Sequence, residues 1–80
     1  MMVELYAWDL SSPDGVCGVT DSRAAAIGHV TEALRTAENG TRGVVRRVEL
    51  SPSGRPVYVD LGAVARAWRE EKTGAVIWEP

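Results

Sequence analysis

The sequence predicts a single small α+β domain with a mostly antiparallel sheet and two helices, in the order ββαββαβ. Three observations predict this class. The chain has 80 residues, which is the size of one domain. Two turn signatures, at residues 12–15 and 51–54, lie beside short runs of alternating apolar residues, a pattern typical of hairpins. Between them lies a stretch with the apolar period of a helix. We therefore assign residues 1–80 to one domain.

The first hairpin is predicted over residues 2–20. Residues 2–10 carry apolar side chains on both faces, which is typical of a strand that is covered on both sides. In the turn that follows, Pro13 presets φ and Gly15 supplies a position with positive φ. Residues 16–20 then form a short return strand.

A helix is predicted over residues 22–38. Asp21 and Ser22 are residue types that cap helix N-termini. One face of the helix is apolar and carries Ile27, Val30, Leu34 and Ala37. Asn39 and Gly40 follow, and such residues commonly end a helix in the left-handed conformation.

The second half allows two interpretations. Residues 44–50 and 57–59 are predicted strands on either side of the second turn. In the first interpretation a second helix covers residues 61–72, with Asp60 as its cap and a stripe that includes Val64 and Trp68. In the other, residues 71–74 form the turn of a hairpin between Trp68 and Val76. The alanines at positions 63, 65 and 67 favour the helix. A terminal strand at 75–78 completes the order.

Several residues recur in the two halves of the chain. Six residues of the first half have counterparts in the second half: Ser12 in Ser51, Pro13 in Pro52, Gly15 in Gly54, Asp21 in Asp60, Ala24 in Ala63 and Ala26 in Ala65. A duplicated ββαβ unit would explain this recurrence and would support the second helix. Turn and cap chemistry explains most of the identities without duplication, and we favour that explanation.

The composition limits the partners and the cellular location. Nine basic and eleven acidic residues give a net charge of −2, so the chain as a whole is not attracted to nucleic acid or anionic membranes. No apolar run approaches the roughly 18 residues that span a bilayer. The N-terminus lacks the basic region of a signal peptide, and a single cysteine fits a reducing compartment. We expect a cytoplasmic protein without a membrane partner.

The sequence offers no set of catalytic or metal-binding residues. Cys17 and His29 are the only members of their types, too few for a zinc site and predicted on different elements, where they are not expected to meet as nucleophile and base. Glu70 and Glu71 are adjacent and would not face each other on a helix. The two G-x-x-G stretches, at 15–18 and 40–43, lack the strand–loop–helix order of a phosphate site. We expect no enzyme activity, cofactor, metal or small-molecule ligand.

Arginine and aromatic residues form the candidate binding surface. Four arginines against one glutamate give residues 42–55 a local charge of about +3 in an acidic chain. Every aromatic residue is Tyr or Trp, which are enriched at protein interfaces. The leading prediction is a module that binds a protein, either another copy of this chain or a different protein. The alternative is nucleic-acid binding. The candidate residues are Arg42, Arg46, Arg47, Arg55, Tyr6, Trp8, Tyr58 and Trp78.

Two stretches of the chain resemble known proteins. The run SPDGVCGVTDS at 12–22 and the run GTRGVVRRV at 40–48 resemble short uncharacterised proteins of high-GC actinomycete bacteria, a resemblance that implies no function. The hairpin–helix–strand start is similar in element order to HicB-type antitoxins, which is an analogy of fold alone.

Overall fold

The structure is a computed structural model that describes residues 4–11, 16–50 and 58–79. The described elements follow the order ββαβββ: β1 Glu4–Leu10, β2 Cys17–Thr20, α1 Arg23–Thr36, β3 Arg42–Leu50, β4 Tyr58–Arg69 and β5 Val76–Trp78. All strand pairs are antiparallel. The five strands form one sheet in the order β2-β1-β3-β4-β5, and α1 packs on one of its faces.

The predicted second helix over residues 61–72, and with it the order ββαββαβ, is wrong. Strand β4 occupies most of this range, and a turn leads from it into β5, as in the hairpin interpretation. Ala65 pairs with Val45 and Ala67 with Gly43. Helix propensity differs among residues by less than about 1 kcal/mol each, whereas pairing with β3 adds a ladder of hydrogen bonds and a place beneath α1. Tertiary pairing therefore outweighs the alanine content.

Helix α1 lies within the predicted range and begins at the expected cap. The hydroxyl oxygen of Ser22 accepts a hydrogen bond from the backbone N–H of Ala25 at 3.2 Å, which satisfies one of the free donors of the first turn. Ala26, Val30 and Leu34 are fully buried on one face of the helix. Val30 and Leu34 of the predicted stripe are thus fully buried, whereas Ile27 and Ala37 are half-buried and Ala26, beside the stripe, provides the third buried position.

The core lies between α1 and one face of the sheet. Its buried members are Leu10, Ala26, Val30, Leu34, Val45 and Ala67. Gly43 lets the helix lie close to β3, because a Cβ at this position would be 2.6 Å from Cγ1 of Val30. In the part of the chain that the structure describes, helix α1 and the five-stranded sheet therefore enclose an apolar layer on one side of the sheet.

Strand β4 bends where it pairs with the end of β3. The register shifts between Val45 and Arg46 and again between Arg46 and Val48, as it does where one strand carries bulges. Gly62 lies in the second irregular stretch with a φ of 111°, a conformation that glycine adopts without a steric penalty. The backbone N–H of Gly62 donates to the carboxylate of Asp60 at 2.8 Å.

The two halves of the chain do not repeat a common structural unit. Ala24 and Ala26 lie in helix α1, whereas their counterparts Ala63 and Ala65 lie in strand β4. The two predicted turns, 12–15 and 51–54, lie outside the described residues. The recurrence of cap and alanine residues thus gives different secondary structure in the two places.

Candidate binding surface

The face of the sheet opposite α1 is the candidate site, and we term it the open face. Residues that pair across strands point to the same side, so the pairs Ala7 with Val19 and Arg46, Asp9 with Val44, and Val44 with Arg66 assign the open face. Its apolar members are Leu5, Ala7, Val19, Val44, Val48, Trp68 and Ile77, and its charged members are Asp9, Arg42, Arg46 and Arg66. None of them belongs to the core cluster or to the residues packed against it.

Apolar side chains reach the open face from every strand. Val19 of the edge strand β2 is 45% exposed, and Trp68 of β4 and Ile77 of β5 are opposite each other and half-buried. Val48 of β3 is buried. No described element packs over this face. The open face therefore carries mostly half-buried apolar side chains from all five strands, with charged side chains among them on β1, β3 and β4.

Three arginines lie together on the open face, around Val44, and we term them the arginine cluster: Arg42, Arg46 and Arg66. Arg42 and Arg46 lie two positions before and after Val44 on β3, and Arg66 is opposite Val44 on β4. Diagonal neighbours of this kind have Cβ atoms about 7–8 Å apart. Trp68 is directly opposite Arg42. The sheet therefore concentrates positive charge beside an aromatic ring.

Only one member of the cluster has a described carboxylate partner. Nη1 of Arg46 donates to the carboxylate of Asp60 at 2.9 Å. The N–H of Gly62 and then Arg46 lower the pKa of Asp60 below its usual value, so this carboxylate stays charged at neutral pH. Among the described residues, no salt bridge includes Arg42 or Arg66. Both residues are exposed to solvent, so their guanidinium groups can donate hydrogen bonds to an anionic ligand.

A groove of about 910 Å³ runs over the cluster. The arginine cluster, Val44 and Trp68 line it, and acidic side chains lie around it: Asp9, Glu70, Glu71 and Glu79. Arg69 also lines the groove, but its guanidinium donates to backbone carbonyl groups. The groove thus carries both signs of charge, with the positive charge grouped on the sheet.

The predicted candidate residues divide between the two faces. Arg42 and Arg46 lie on the open face, whereas Arg47 lies on the other side and pairs with Glu4. Tyr6, Trp8 and Trp78 pack against the core beneath α1. Arg55 lies outside the described residues, and Tyr58 is described only by its place in β4. The structure therefore does not join the eight predicted residues into one surface.

Of the open-face residues, the predicted candidates include Arg42 and Arg46 alone, and the most important of those that they lack are Arg66 and Trp68. The helix interpretation placed Trp68 on a core stripe and gave Arg66 no role. The alternation Ala65, Arg66, Ala67, Trp68 has period two, which is typical of a strand with a small-residue face and a large-residue face. That signal was present, but the alanine content outweighed it.

Cys17 and His29 lie on different sides of the sheet. Cys17 is exposed and pairs with Asp9, on the open side. His29 belongs to α1 and stacks on Trp8, with ring centroids 5.5 Å apart and an interplanar angle of 16°. Within the ranges 4–11, 16–50 and 58–79, no group of three His, Cys, Asp or Glu residues is placed to hold a metal ion.

Comparison with known proteins adds no relative. No protein-family model matches the chain, and no curated protein or solved structure matches it. None of the helices in the described part of the chain has the length and apolar character needed to cross a bilayer. The site is therefore interpreted from its own geometry.

Proposed function

We propose that the protein is a small binding module that docks onto another protein through its open face. The observation that carries this proposal is the one-sided packing of the sheet: no element among residues 4–11, 16–50 and 58–79 covers the apolar residues that the five strands place on the open face. Large exposed apolar patches with a polar rim are typical of protein interaction sites. Trp68 lies within the patch, and Trp is enriched among the residues that contribute most to binding energy.

The size of the open face supports this role. The five strands differ in length, from three residues in β5 to twelve in β4. At about 3.3 Å per residue and about 4.8 Å between strands, their combined area is about 550 Å², which corresponds to a small, transient interface of up to about 600 Å² for each partner. The partner is a second copy of the chain or a different protein. Binding needs no catalytic group, and we place the module in the reducing cytoplasm that a lone cysteine suits.

Nucleic-acid binding is the second candidate. The arginine cluster beside Trp68 favours it, since cationic grooves with aromatic side chains hold single strands. The net charge of −2 and the acidic residues around the groove oppose a phosphate backbone. Protein binding is therefore the first candidate.

Site-specific photocrosslinking in the native host tests the proposal. A photoreactive amino acid replaces Ile77 on the open face, and the matched control replaces Thr36 on the exposed side of α1. We expect the probe at 77 to give one protein adduct of defined mass and the probe at 36 to give none. Twice the chain mass would identify a second copy. The added substitution Val19→Glu on the open face should reduce the adduct, because a charge would enter an apolar contact.

Equal adducts from both positions would refute the proposal. So would crosslinking of the probe at 77 to nucleic acid alone, which would instead favour the second candidate. Circular dichroism of each variant shows whether the sheet and helix are retained.

A further inference from the structure

We propose that the arginine cluster is a receptor for carboxylates, and that the partner contributes an acidic segment of its chain to the groove. This inference rests on the proposed function and adds the chemical class of the partner. It concerns Arg42, Arg46 and Arg66, with Trp68 as the neighbouring apolar contact. The first step is the electrostatics of the unbound protein.

Three positive charges surround one apolar side chain in the unbound protein. Arg42, Arg46 and Arg66 are each a near neighbour of Val44 on the same face. Arg66 lies diagonally opposite Arg42, at about 7–8 Å between such residues, where their like charges repel each other. Asp60 partners Arg46, and Asp9, on the other side of Val44, is in no described salt bridge. A ligand with negative charge would relieve this repulsion.

The residue type narrows the ligand group to a planar or tetrahedral oxyanion. Every cation of the cluster is Arg, whose planar guanidinium donates two parallel hydrogen bonds to a carboxylate or a phosphate. Arg42 and Arg66 are exposed and lie diagonally across the β3–β4 ladder, so two carboxylates a few residues apart in one segment can engage one each. Trp68 and Ile77 lie beside them. The segment that fits carries acidic residues next to apolar ones.

The groove favours a peptide over a nucleic acid. Asp9, Glu70, Glu71 and Glu79 line the same groove as the cluster. A nucleic acid carries one negative charge on every phosphate and needs a continuous basic track. A peptide can place its carboxylates beside the arginine cluster and its neutral side chains beside the acidic residues of the groove. Charge complementarity is therefore local, and it fits an acidic peptide segment.

Fluorescence anisotropy with defined probes tests the inference on the full chain. The probe is a fluorescein-labelled peptide, Gly-Glu-Leu-Glu-Glu-Leu-Glu-Gly, and its matched control has Gln in place of every Glu. We expect the acidic peptide to bind at about 50 mM salt and to weaken at about 300 mM salt. Arg66→Gln and Arg42→Gln should each weaken binding by about tenfold, the effect of about 1.4 kcal/mol. Arg35→Gln, an exposed arginine of α1, should leave it unchanged.

Three results would overturn the inference. The first is that the acidic peptide does not bind detectably, and the second is that the Gln peptide binds as tightly as the acidic one. The third is that the Arg66→Gln and Arg42→Gln variants bind the acidic peptide as tightly as the unchanged protein. Tighter binding of a fifteen-nucleotide oligo(dT) probe, lost in the same variants, would overturn it in favour of nucleic acid. If the acidic peptide fails but the protein adduct at position 77 persists, only the inference is wrong. If that adduct is absent, the proposed function fails as well.

Discussion

Arg69 is the residue whose role depends most on contacts between distant parts of the chain. Its Nε donates to the carbonyl oxygen of Gly74 at 3.1 Å, and its Nη1 donates to that of Arg35 at 3.1 Å and to that of Ala37. The last carbonyl groups of a helix lack partners within the helix and form the negative end of its dipole. One guanidinium group therefore donates hydrogen bonds both to the carbonyl groups at the end of α1 and to the turn between β4 and β5.

We predict that Arg69→Ala lowers the free energy of unfolding by about 2 kcal/mol, in the range of lost hydrogen bonds to a charged group. Urea denaturation followed by circular dichroism measures the change. The control is Arg35→Ala, which keeps the Arg35 carbonyl and removes only an exposed contact to Glu32. This control should change stability by less than about 0.5 kcal/mol. Equal effects of the two substitutions would refute the role of Arg69.

Strand β4 shows at the scale of an element how backbone conformation supports the site. Its two register shifts let the strand pair along β3 while Asp60 reaches Arg46. Gly62, with φ of 111°, has nothing within 4 Å of a Cβ built on it. Any cost of substitution at Gly62 therefore comes from the backbone conformation and not from crowding.

We predict opposite effects for two substitutions of glycine by alanine. Gly62→Ala should destabilise the protein by about 1–2 kcal/mol, the penalty for a left-handed conformation with a Cβ. Gly28→Ala should stabilise it by about 0.5–1 kcal/mol, because Gly28 lies inside α1 with nothing within 4 Å of a Cβ. Both substitutions reduce the conformational entropy of the unfolded chain by the same amount. A difference between their free energies of unfolding, measured by urea denaturation, therefore reports the conformational cost in the folded protein. Two changes of the same sign would contradict this explanation of β4.

The described residues form two layers, with helix α1 on one face of the five-stranded sheet. The buried apolar residues lie between α1 and one face of the sheet. Stability therefore depends on the covered face, and the open face remains available for binding.

We predict that truncating a side chain on the covered face lowers the free energy of unfolding far more than truncating one on the open face. Leu34→Ala should lower the free energy of unfolding by about 2–5 kcal/mol, as for a buried leucine, because Leu34 is fully buried between α1 and the sheet. Val19→Ala, on the open face, should cost less than about 0.5 kcal/mol. Thermal and urea denaturation measure both values. A large cost for Val19→Ala would show that the open face contributes to the fold of the single chain.

The sequence alone predicted the elements whose signals are local. The helical period that includes Val30 and Leu34 and the cap at Ser22 predict α1 correctly, because the residues that form a helical turn are close in the sequence. The strands before and after α1 followed from alternating apolar residues. The sequence also placed a positive segment at residues 42–55, of which Arg42 and Arg46 are in the candidate site.

Only the tertiary structure decided the rest. Residues 61–69 have a local preference for helix, and pairing with β3 makes them a strand, since the energy of a ladder depends on residues far away in the sequence. The same pairing brings Arg66 and Trp68 beside Arg42, while Trp8 and Trp78 lie beneath α1. Side chains of a strand alternate between faces, so a face is assigned only when the register and the position of the helix are known.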